Sequence, residues 1–208
     1  MTDRETRTES IAVEDRARAG AWRLLARYLS AAPDADGLAF AAALKGDDSP
    51  LGRAISAFAA AAAATSPEEA DDEYHALFIG VTRGEIVPHG SYYQTGFLNE
   101  KPLARLRADM ARLGIAGNAG EPDPEDHVAA LCDMMGGLIL GEYDAPPCAS
   151  VAREFFQAHL DSWIGVFFRD LERAGAARLY APLGAMGLAL VDIERQAFAM
   201  SGGGQAVH

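Results

Sequence analysis

The sequence SVAREFFQAHLDSWIGVFFRDLER, residues 150–173, contains the densest series of large apolar side chains in this chain of 208 residues. These side chains recur at helical spacing and cover more than one stripe of a helix; they are Phe155, Phe156, Leu160, Trp163, Ile164, Phe167, Phe168 and Leu171. A helix that is apolar over most of its surface is buried. The stretch therefore predicts one continuous helix at the centre of the fold.

The rest of the chain also predicts helices. Alanine is abundant beside leucine, arginine and glutamate, which favours helix because alanine loses no side-chain entropy there. Valine and isoleucine are sparse, and no stretch alternates for long between apolar and polar residues as a strand does. The other predicted helices cover about residues 13–31, 35–44, 51–64, 67–79, 103–113, 124–142 and 177–200. We expect an all-α fold, a single compact bundle-like domain of about 8–10 helices.

Glycine, proline and polar residues predict the limits of this domain. Residues 1–12 are expected to form a flexible arm, residues 13–200 the helical domain, and residues 201–208 a flexible tail. Residues 114–123 form a predicted hinge between subdomains at 13–113 and 124–200. Such a hinge permits domain swapping, so a monomer and a swapped dimer both stay open. No secretory signal or membrane-spanning run is found, so we expect a cytoplasmic protein without stable membrane insertion.

The charge of the chain indicates the kind of partner. A formal net charge of −12 disfavours nucleic acid, because contacts with phosphate dominate that affinity. An acidic surface instead attracts a cationic partner. The acids are concentrated in two segments that lack Lys and Arg, five in residues 54–82 and seven in residues 121–144. Between these segments lies most of residues 80–96, a Gly- and Pro-containing stretch that predicts a long irregular loop.

No catalytic or cofactor template fits the chain. The phosphate-binding and dinucleotide-binding glycine patterns are missing, the histidines lack the spacing of paired metal ligands, and Ser91 does not lie in a nucleophile elbow. We therefore predict no catalytic residue, no metal and no cofactor. Residues 123–126 are interpreted as the N-cap and first turn of a helix, with Asp126 as a capping residue. His127 is interpreted as a neutral, hydrogen-bonded histidine that ties this helix to the neighbouring loop.

Two stretches predict a recognition surface. Residues 73–93, EYHALFIGVTRGEIVPHGSYY, run from the end of a helix into the irregular loop, and residues 121–127, EPDPEDH, start a later helix with carboxylates. Leu77 and Phe78 share a face that is typical of a core. Tyr92 and Tyr93 are adjacent on a loop, so we do not expect both to be buried in one core. An exposed aromatic side chain among Gly, Pro and Ser suits contact with a peptide.

These residues resemble motifs of the TorD/DmsD/NarJ family of redox-enzyme maturation chaperones. The matching pieces keep the order and spacing of the family over about residues 20–200; they are Glu73-Tyr74-x-x-Leu77-Phe78-x-Gly80, Pro88-x-x-Ser91-x-Tyr93, Asp126-His127 before Met134-Met135, and Phe155-Phe156-x-x-His159-Leu160-x-x-Trp163. Four motifs in register make the resemblance specific. The chain departs from some members at residues 84–87, Gly-Glu-Ile-Val, where they have a shorter Pro-rich lead into the second motif.

The resemblance implies an all-α cytoplasmic chaperone. Such a protein binds the twin-arginine signal peptide of a molybdoenzyme precursor, retains it until the molybdenum cofactor is inserted, and then releases it for Tat export. Some members also bind the catalytic subunit beyond its signal, and weak guanine nucleotide binding and domain-swapped dimers occur within the family.

The expected ligand defines the candidate site. A twin-arginine signal has a cationic and an apolar region, so its receptor needs carboxylates for the guanidinium groups and an apolar groove. The predicted groove and its surroundings comprise Leu77, Phe78, Pro88, Ser91, Tyr92 and Tyr93. The predicted partners of the arginines are Glu121, Asp123 and Asp126, with His127 ordering the site.

Two other functions stay open at this level. A helical regulator that binds, or weakly hydrolyses, a nucleotide through Asp126 and His127 would respond to GTP, ATP or divalent cations. A non-catalytic helical adaptor would show no preference for a peptide with two arginines over one with two glutamines. The client enzyme is not indicated by any residue.

Overall fold

The computed structural model describes residues 12–117, 123–144 and 149–202. Within these residues the chain forms ten α-helices and one π-helical segment; in chain order they are α1 (Val13–Ser30), α2 (Ala35–Ala42), α3 (Pro50–Ala63), α4 (Pro67–Tyr74), the π-helical segment His75–Ile79, α5 (Gly90–Thr95), α6 (Lys101–Leu113), α7 (Val128–Leu140), α8 (Ala149–His159), α9 (Ile164–Arg173) and α10 (Tyr180–Gly202). The described residues form no strand, and their β-type pairing is limited to His89 with His127. The prediction of an all-α fold is confirmed.

Local side-chain caps start three of the first four helices. Asp34, Ser49 and Ser66 each accept a hydrogen bond from a backbone N–H in the first turn of α2, α3 and α4. At α4 the carboxylate of Glu69 returns a bond by accepting from the N–H of Ser66 at 2.8 Å. These bonds satisfy N–H groups that a helix start otherwise leaves without partners. They explain why these three starts agree with the sequence prediction to within one residue.

One hydrophobic core joins helices from both sides of the predicted hinge. α1 packs most extensively on α7, α9 packs on α10, and α10 packs on α3. Residues 1–11, 118–122 and 203–208 lie outside the described residues, and they include most of the predicted arm and tail and half of the predicted hinge. Those three assignments therefore stay predictions. Within the described residues, no helix has the length and apolarity needed to cross a membrane.

The contact between α1 and α7 depends on a glycine. A Cβ atom at Gly136 would lie 3.2 Å from the carbonyl oxygen of Ala19 and 2.9 Å from Cγ of Arg23, both on α1. The missing side chain allows the two helix backbones to approach closely. Cys132 on the same helix is buried.

The predicted continuous helix over residues 150–173 is wrong, because α8 ends at His159 and α9 begins at Ile164. The indole Nε1 of Trp163 donates to the carbonyl of His159 at 2.6 Å, and the Trp163 N–H bonds the carbonyl of Leu160 at 3.0 Å. The carbonyl that a continuing α-helix would need is therefore taken by the indole. The large apolar side chains of both halves remain in the core.

Further boundaries also differ from the prediction, and α10 begins at Tyr180 and not at about residue 177. Residues 90–95 form α5 inside the loop that was expected to be irregular over residues 80–96. α7 begins at Val128 and not at Pro124, since His127 is its N-cap and accepts a hydrogen bond at Nδ1 from the N–H of Ala129 at 3.2 Å. The carboxylate of Asp126 does not cap its own helix, because it binds the start of α5.

A buried ion pair joins the first and last helices. Glu194 of α10 is 0% exposed, and one of its oxygens accepts from Nε of Arg18 and from the indole Nε1 of Trp22, both at 3.0 Å. Its other oxygen binds Nη2 of Arg18. A buried carboxylate is tolerated when charged and polar donors surround it in this way. The pair holds α1 against α10 at a fixed position.

Replacing Glu194 with alanine is expected to lower the free energy of unfolding by about 3–5 kcal/mol, because the donors of Arg18 and Trp22 lose their acceptor inside the protein. Glu194→Gln keeps an acceptor for Trp22 and should cost less. Urea unfolding followed by circular dichroism measures both. Asp192→Ala, at an exposed position of the same helix, should stay within about 0.5 kcal/mol of the wild type. A Glu194→Ala variant as stable as this control would contradict the role given to the pair.

Candidate functional site

Two backbone hydrogen bonds join the stretches that predict the recognition surface. The N–H of Val128 donates to the carbonyl of Pro88 at 2.8 Å, and the N–H of Gly90 donates to the carbonyl of Asp126 at 2.9 Å. Such reciprocal bonds are those of a short antiparallel pairing. The structure thereby places the end of the 73–93 stretch directly beside the start of α7.

Four buried polar residues surround this pairing, and we call them the histidine junction; they are His89, Ser91, Asp126 and His127. The rings of His89 and His127 meet edge to face with centroids 5.1 Å apart. Oδ2 of Asp126 and Nδ1 of His127 accept backbone hydrogen bonds, whereas the ring nitrogens of His89 and Oγ of Ser91 have no protein partner among the described residues. Ser91, Asp126 and His127 are among the predicted site residues, whereas no sequence pattern indicates His89.

The carboxylate of Asp126 caps α5. Its Oδ2 accepts from the backbone N–H of Ser91 at 2.6 Å, and the residue is only 3% exposed. Unpaired N–H groups in the first turn of a helix favour a carboxylate. Gly90 allows α5 to start against Trp163, whose Cζ2 atom would lie 3.0 Å from a Cβ at residue 90. The prediction that Asp126 caps its own helix is wrong, because its carboxylate caps α5 instead.

Both histidines of the junction are neutral at pH 7. Burial, and next the neighbouring His89, lower the pKa of His127 to about 4. Burial also lowers the pKa of His89, and the nearby carboxylates of Asp126 and Asp123 oppose this shift. Because Nδ1 of His127 accepts from the N–H of Ala129, the proton of the neutral ring lies on Nε2. The side chain of His127 is hydrogen-bonded at the helix start, but its bond is to Ala129 of its own helix and not to the neighbouring loop as predicted.

Tyr92 and Tyr93 are both half-buried, and each has a fixed position. Tyr93 stacks on Trp163 with ring centroids 5.5 Å apart and donates its hydroxyl to Oδ2 of Asp170 at 3.0 Å. Burial, and next Asp170, raise the pKa of Tyr93, so its hydroxyl remains a donor. Tyr92 lies under the guanidinium of Arg83, 5.6 Å from the ring centre, and accepts from its Nη1 at 3.0 Å. The two rings form an ordered aromatic surface beside the junction.

The other predicted groove residues differ in exposure. Leu77 and Pro88 are buried and support the surface from below. Phe78 is half-buried, and its ring contacts those of Tyr74 and Tyr180 at centroid distances of 5.0 and 5.5 Å. Of the apolar residues predicted for the groove, Phe78 and the two tyrosines therefore keep accessible area.

Among the described residues of the acidic segment before α7, Asp123 is the exposed carboxylate without a partner among Lys and Arg. Glu125 is paired with Arg107 at 2.7 Å. The side chain of Asp123 is 58% exposed. Within the described part of the chain, the one group of opposite charge type within ion-pair distance of it is the His89 ring, whose Nε2 lies 3.8 Å from Oδ1 of Asp123. Since His89 is neutral at pH 7, the charge of Asp123 is not compensated there. Glu121 lies outside the described residues, so its predicted role stays a prediction.

Two carboxylates without a predicted role hold the connection that leads into α10. Glu73 accepts hydrogen bonds from the three backbone N–H groups of residues 178–180 at 2.8–3.1 Å. Glu85 accepts from the N–H groups of residues 175 and 176 at 2.7 and 3.1 Å. The partners lie 90 to 107 residues further along the chain, so no local pattern could indicate these bonds. They fix the recognition stretch to the start of the last helix.

Asp126→Ala is expected to lower the free energy of unfolding by about 1–3 kcal/mol, because the buried N–H of Ser91 loses its acceptor. Asp123→Ala removes a neighbouring carboxylate that is exposed and should change stability by less than about 0.5 kcal/mol. Thermal and urea unfolding of both variants measure the difference. Equal stability of the two variants would rule out the capping role of Asp126.

The stability of the protein should decrease as the pH falls through the ordinary pKa of histidine, 6.5, toward about 4. In this window the unfolded chain protonates His127 and the folded chain does not, so the slope from this residue approaches about 1.4 kcal/mol per pH unit. His127→Gln keeps an acceptor and removes the titrating group, so the variant should show a smaller slope in urea unfolding at a series of pH values. His75→Gln, at an exposed position, should keep the wild-type slope. An unchanged slope in His127→Gln would contradict the assignment.

Comparison with known proteins identifies the sequence relatives of this chain. Residues 44–169, more than half of the chain, match the family model described as nitrate reductase delta subunit. The chaperone protein TorD of Vibrio atlanticus is 27% identical over 128 residues, which cover 58% of this chain and 60% of that protein. The TorD protein of Photobacterium profundum is 33% identical over 70 residues, 33% of this chain and 32% of that protein. The chain thus spans 60% or less of the length of these curated relatives.

A solved structure shares the fold. A crystal structure from Archaeoglobus fulgidus, assigned as a redox enzyme maturation protein, matches with a TM-score of 0.56 and 20% identity over 84% of this chain and 93% of that chain. At this identity the likeness concerns the fold alone. The matched family model covers the stretches that form the histidine junction and the aromatic surface of Tyr92 and Tyr93. The chain therefore belongs to the TorD/DmsD/NarJ family of redox-enzyme maturation chaperones.

Proposed function

We propose that this protein is a non-catalytic chaperone that binds the twin-arginine signal peptide of a molybdoenzyme precursor. It also contacts the catalytic subunit, assists insertion of the molybdenum cofactor and delays Tat export. The observation that carries the proposal is the pairing at the histidine junction, which brings the aromatic surface of the 73–93 stretch next to the acidic start of α7. A signal peptide with adjacent cationic and apolar regions requires these two kinds of surface side by side.

The arginines of the peptide bind at the exposed carboxylate of Asp123, with Glu121 as a second partner in the same segment. A carboxylate without a cationic neighbour can accept paired hydrogen bonds from a guanidinium group. The burial of Asp126 and its bond to Ser91 support a different task for this residue. Asp126 and His127 both order the site. The exposed carboxylate of Asp123 lies at its surface.

The apolar region of the peptide contacts Phe78, Tyr92 and Tyr93, which retain accessible area. Leu77, Pro88 and Ser91 are buried and keep the groove in shape. Ordered tyrosines lose little further entropy on binding, which favours contact with an extended or helical segment. The chaperone acts in the cytoplasm, where the precursor is found before export.

The burial of Asp126 and His127 also supports a binding role over a hydrolytic one. A general base must reach the water or hydroxyl that it activates. In this protein the Asp126 carboxylate accepts from Ser91, and Nδ1 of His127 accepts from Ala129. Both side chains serve the local fold at these atoms.

Isothermal titration with a synthetic twin-arginine signal peptide tests the proposal. The wild type should bind this peptide at least about tenfold more tightly than the same peptide with both arginines replaced by glutamine, since charge-assisted pairs are lost. Asp123→Ala and Tyr92→Ala should each weaken binding about threefold to thirtyfold without loss of stability. Tyr93→Ala should weaken it as well.

Glu68→Ala supplies the matched control, since Glu68 is an exposed acid on α4 outside the proposed groove. It should bind the peptide as the wild type does. Equal binding of the arginine and glutamine peptides would reject the proposal and favour a general helical adaptor. Equal losses in Asp123→Ala and Glu68→Ala would reject the proposed position of the arginines.

A further inference from the structure

A cavity of about 400 Å³ opens between the segment around residues 83–93 and the C-terminal end of α9. Arg83 and the two tyrosines line one side, and Asp170 and Arg173 of α9 line the other. Its volume falls within the range of pockets for small organic ligands, roughly 300–1,000 Å³. Of the described residues predicted for the peptide site, only the tyrosines line this cavity, so it is distinct from the histidine junction.

The carboxylates of the cavity are engaged in bonds within the protein. Both oxygens of Glu85 accept from the backbone N–H groups of residues 175 and 176, at 2.7 and 3.1 Å. Oδ2 of Asp170 accepts from the hydroxyl of Tyr93 at 3.0 Å. These bonds hold the connection before α10 and the ring of Tyr93. The two acids therefore act first as parts of the fold.

The guanidinium groups of the cavity keep open donors. Arg83 is held on the ring of Tyr92 and uses Nη1 for its bond to the tyrosine hydroxyl, while Nε and Nη2 have no partner among the described residues. Arg173 makes no side-chain hydrogen bond or ion pair with any residue that the structure describes. Two arginines with open donors thus line one cavity in a chain whose net charge is −12.

We propose that this cavity binds an oxyanion, a carboxylate or phosphate group of a small organic ligand, between Arg83 and Arg173. Guanidinium groups bind both kinds of oxyanion through paired, charge-assisted hydrogen bonds. The contact with Tyr92 fixes Arg83 before the ligand arrives, which lowers the entropic cost of binding. Ile86 and Val87 supply an apolar wall for the body of the ligand. This site goes beyond the proposed peptide-binding function, because it selects the opposite charge.

A titration of the full chain followed by ¹H–¹⁵N NMR tests the proposal. The probes are inorganic phosphate, glutarate and, as a cationic counter-probe, N-acetylarginine amide. Phosphate or glutarate is expected to shift the Nε–H signals of Arg83 and Arg173 and to saturate, and the cationic probe is expected to leave them in place. Saturation by phosphate assigns a phosphate ligand and saturation by glutarate a carboxylate ligand; either result supports the site.

Arg173→Ala should weaken binding of the anion about tenfold or more, because one fork of the pair is removed. Arg83→Ala is a second variant with the same expectation. Arg169→Ala, an exposed arginine of α9 outside the cavity lining, should change binding less than about twofold. Circular dichroism verifies that each variant folds.

Three outcomes would overturn the proposal. They are failure of both anions to saturate the wild type, an equal loss of binding in Arg169→Ala and Arg173→Ala, and preferential binding of the cationic probe in the cavity. No peptide is present in this titration. A failure of twin-arginine peptide binding therefore leaves this result unaffected, and the two proposals can be judged separately.

Discussion

The hydrogen bond between the N–H of Ser91 and the buried carboxylate of Asp126 is the constraint on which the candidate site depends, and it joins residues 35 positions apart. It sets the start of α5 and so the positions from which Tyr92 and Tyr93 emerge. Because Asp126 is held in this way, the N-cap of α7 passes to His127. A buried carboxylate without its donor would be costly, so the two segments stay together. Tyr92 and Tyr93 are thereby held in place for binding.

The carboxylates discussed above have two different roles. Glu73, Glu85 and Glu194 bind donors of their own protein and hold distant helices and connections together. Asp123 is exposed and has no cation beside it at pH 7 within the described residues. Net charge alone would suggest a uniform attraction for cations. The structure instead leaves Asp123 exposed near the junction and a pair of arginines at the cavity beside α9.

The parts of the fold that follow from the sequence are those decided within a few residues. The start of α4 is predicted because Ser66 and Glu69 cap it locally. The break between α8 and α9 is not predicted, since the apolar spacing continues through it and the indole of Trp163 takes the carbonyl that the helix would use. α5 is missed for a similar reason, as its first turn is capped by a carboxylate from another segment.

The sequence by itself determined the all-α fold, most of the helix starts and the two stretches that form the candidate surface, because periodicity and capping act over one or two helical turns. Only the tertiary structure decided which residues of those stretches are accessible. In the first stretch Leu77 is buried and Tyr92 half-buried, and in the second Asp126 is buried and Asp123 exposed. The physical reason is that burial and hydrogen-bond partners depend on contacts between residues 35 to 107 positions apart, which no local pattern encodes.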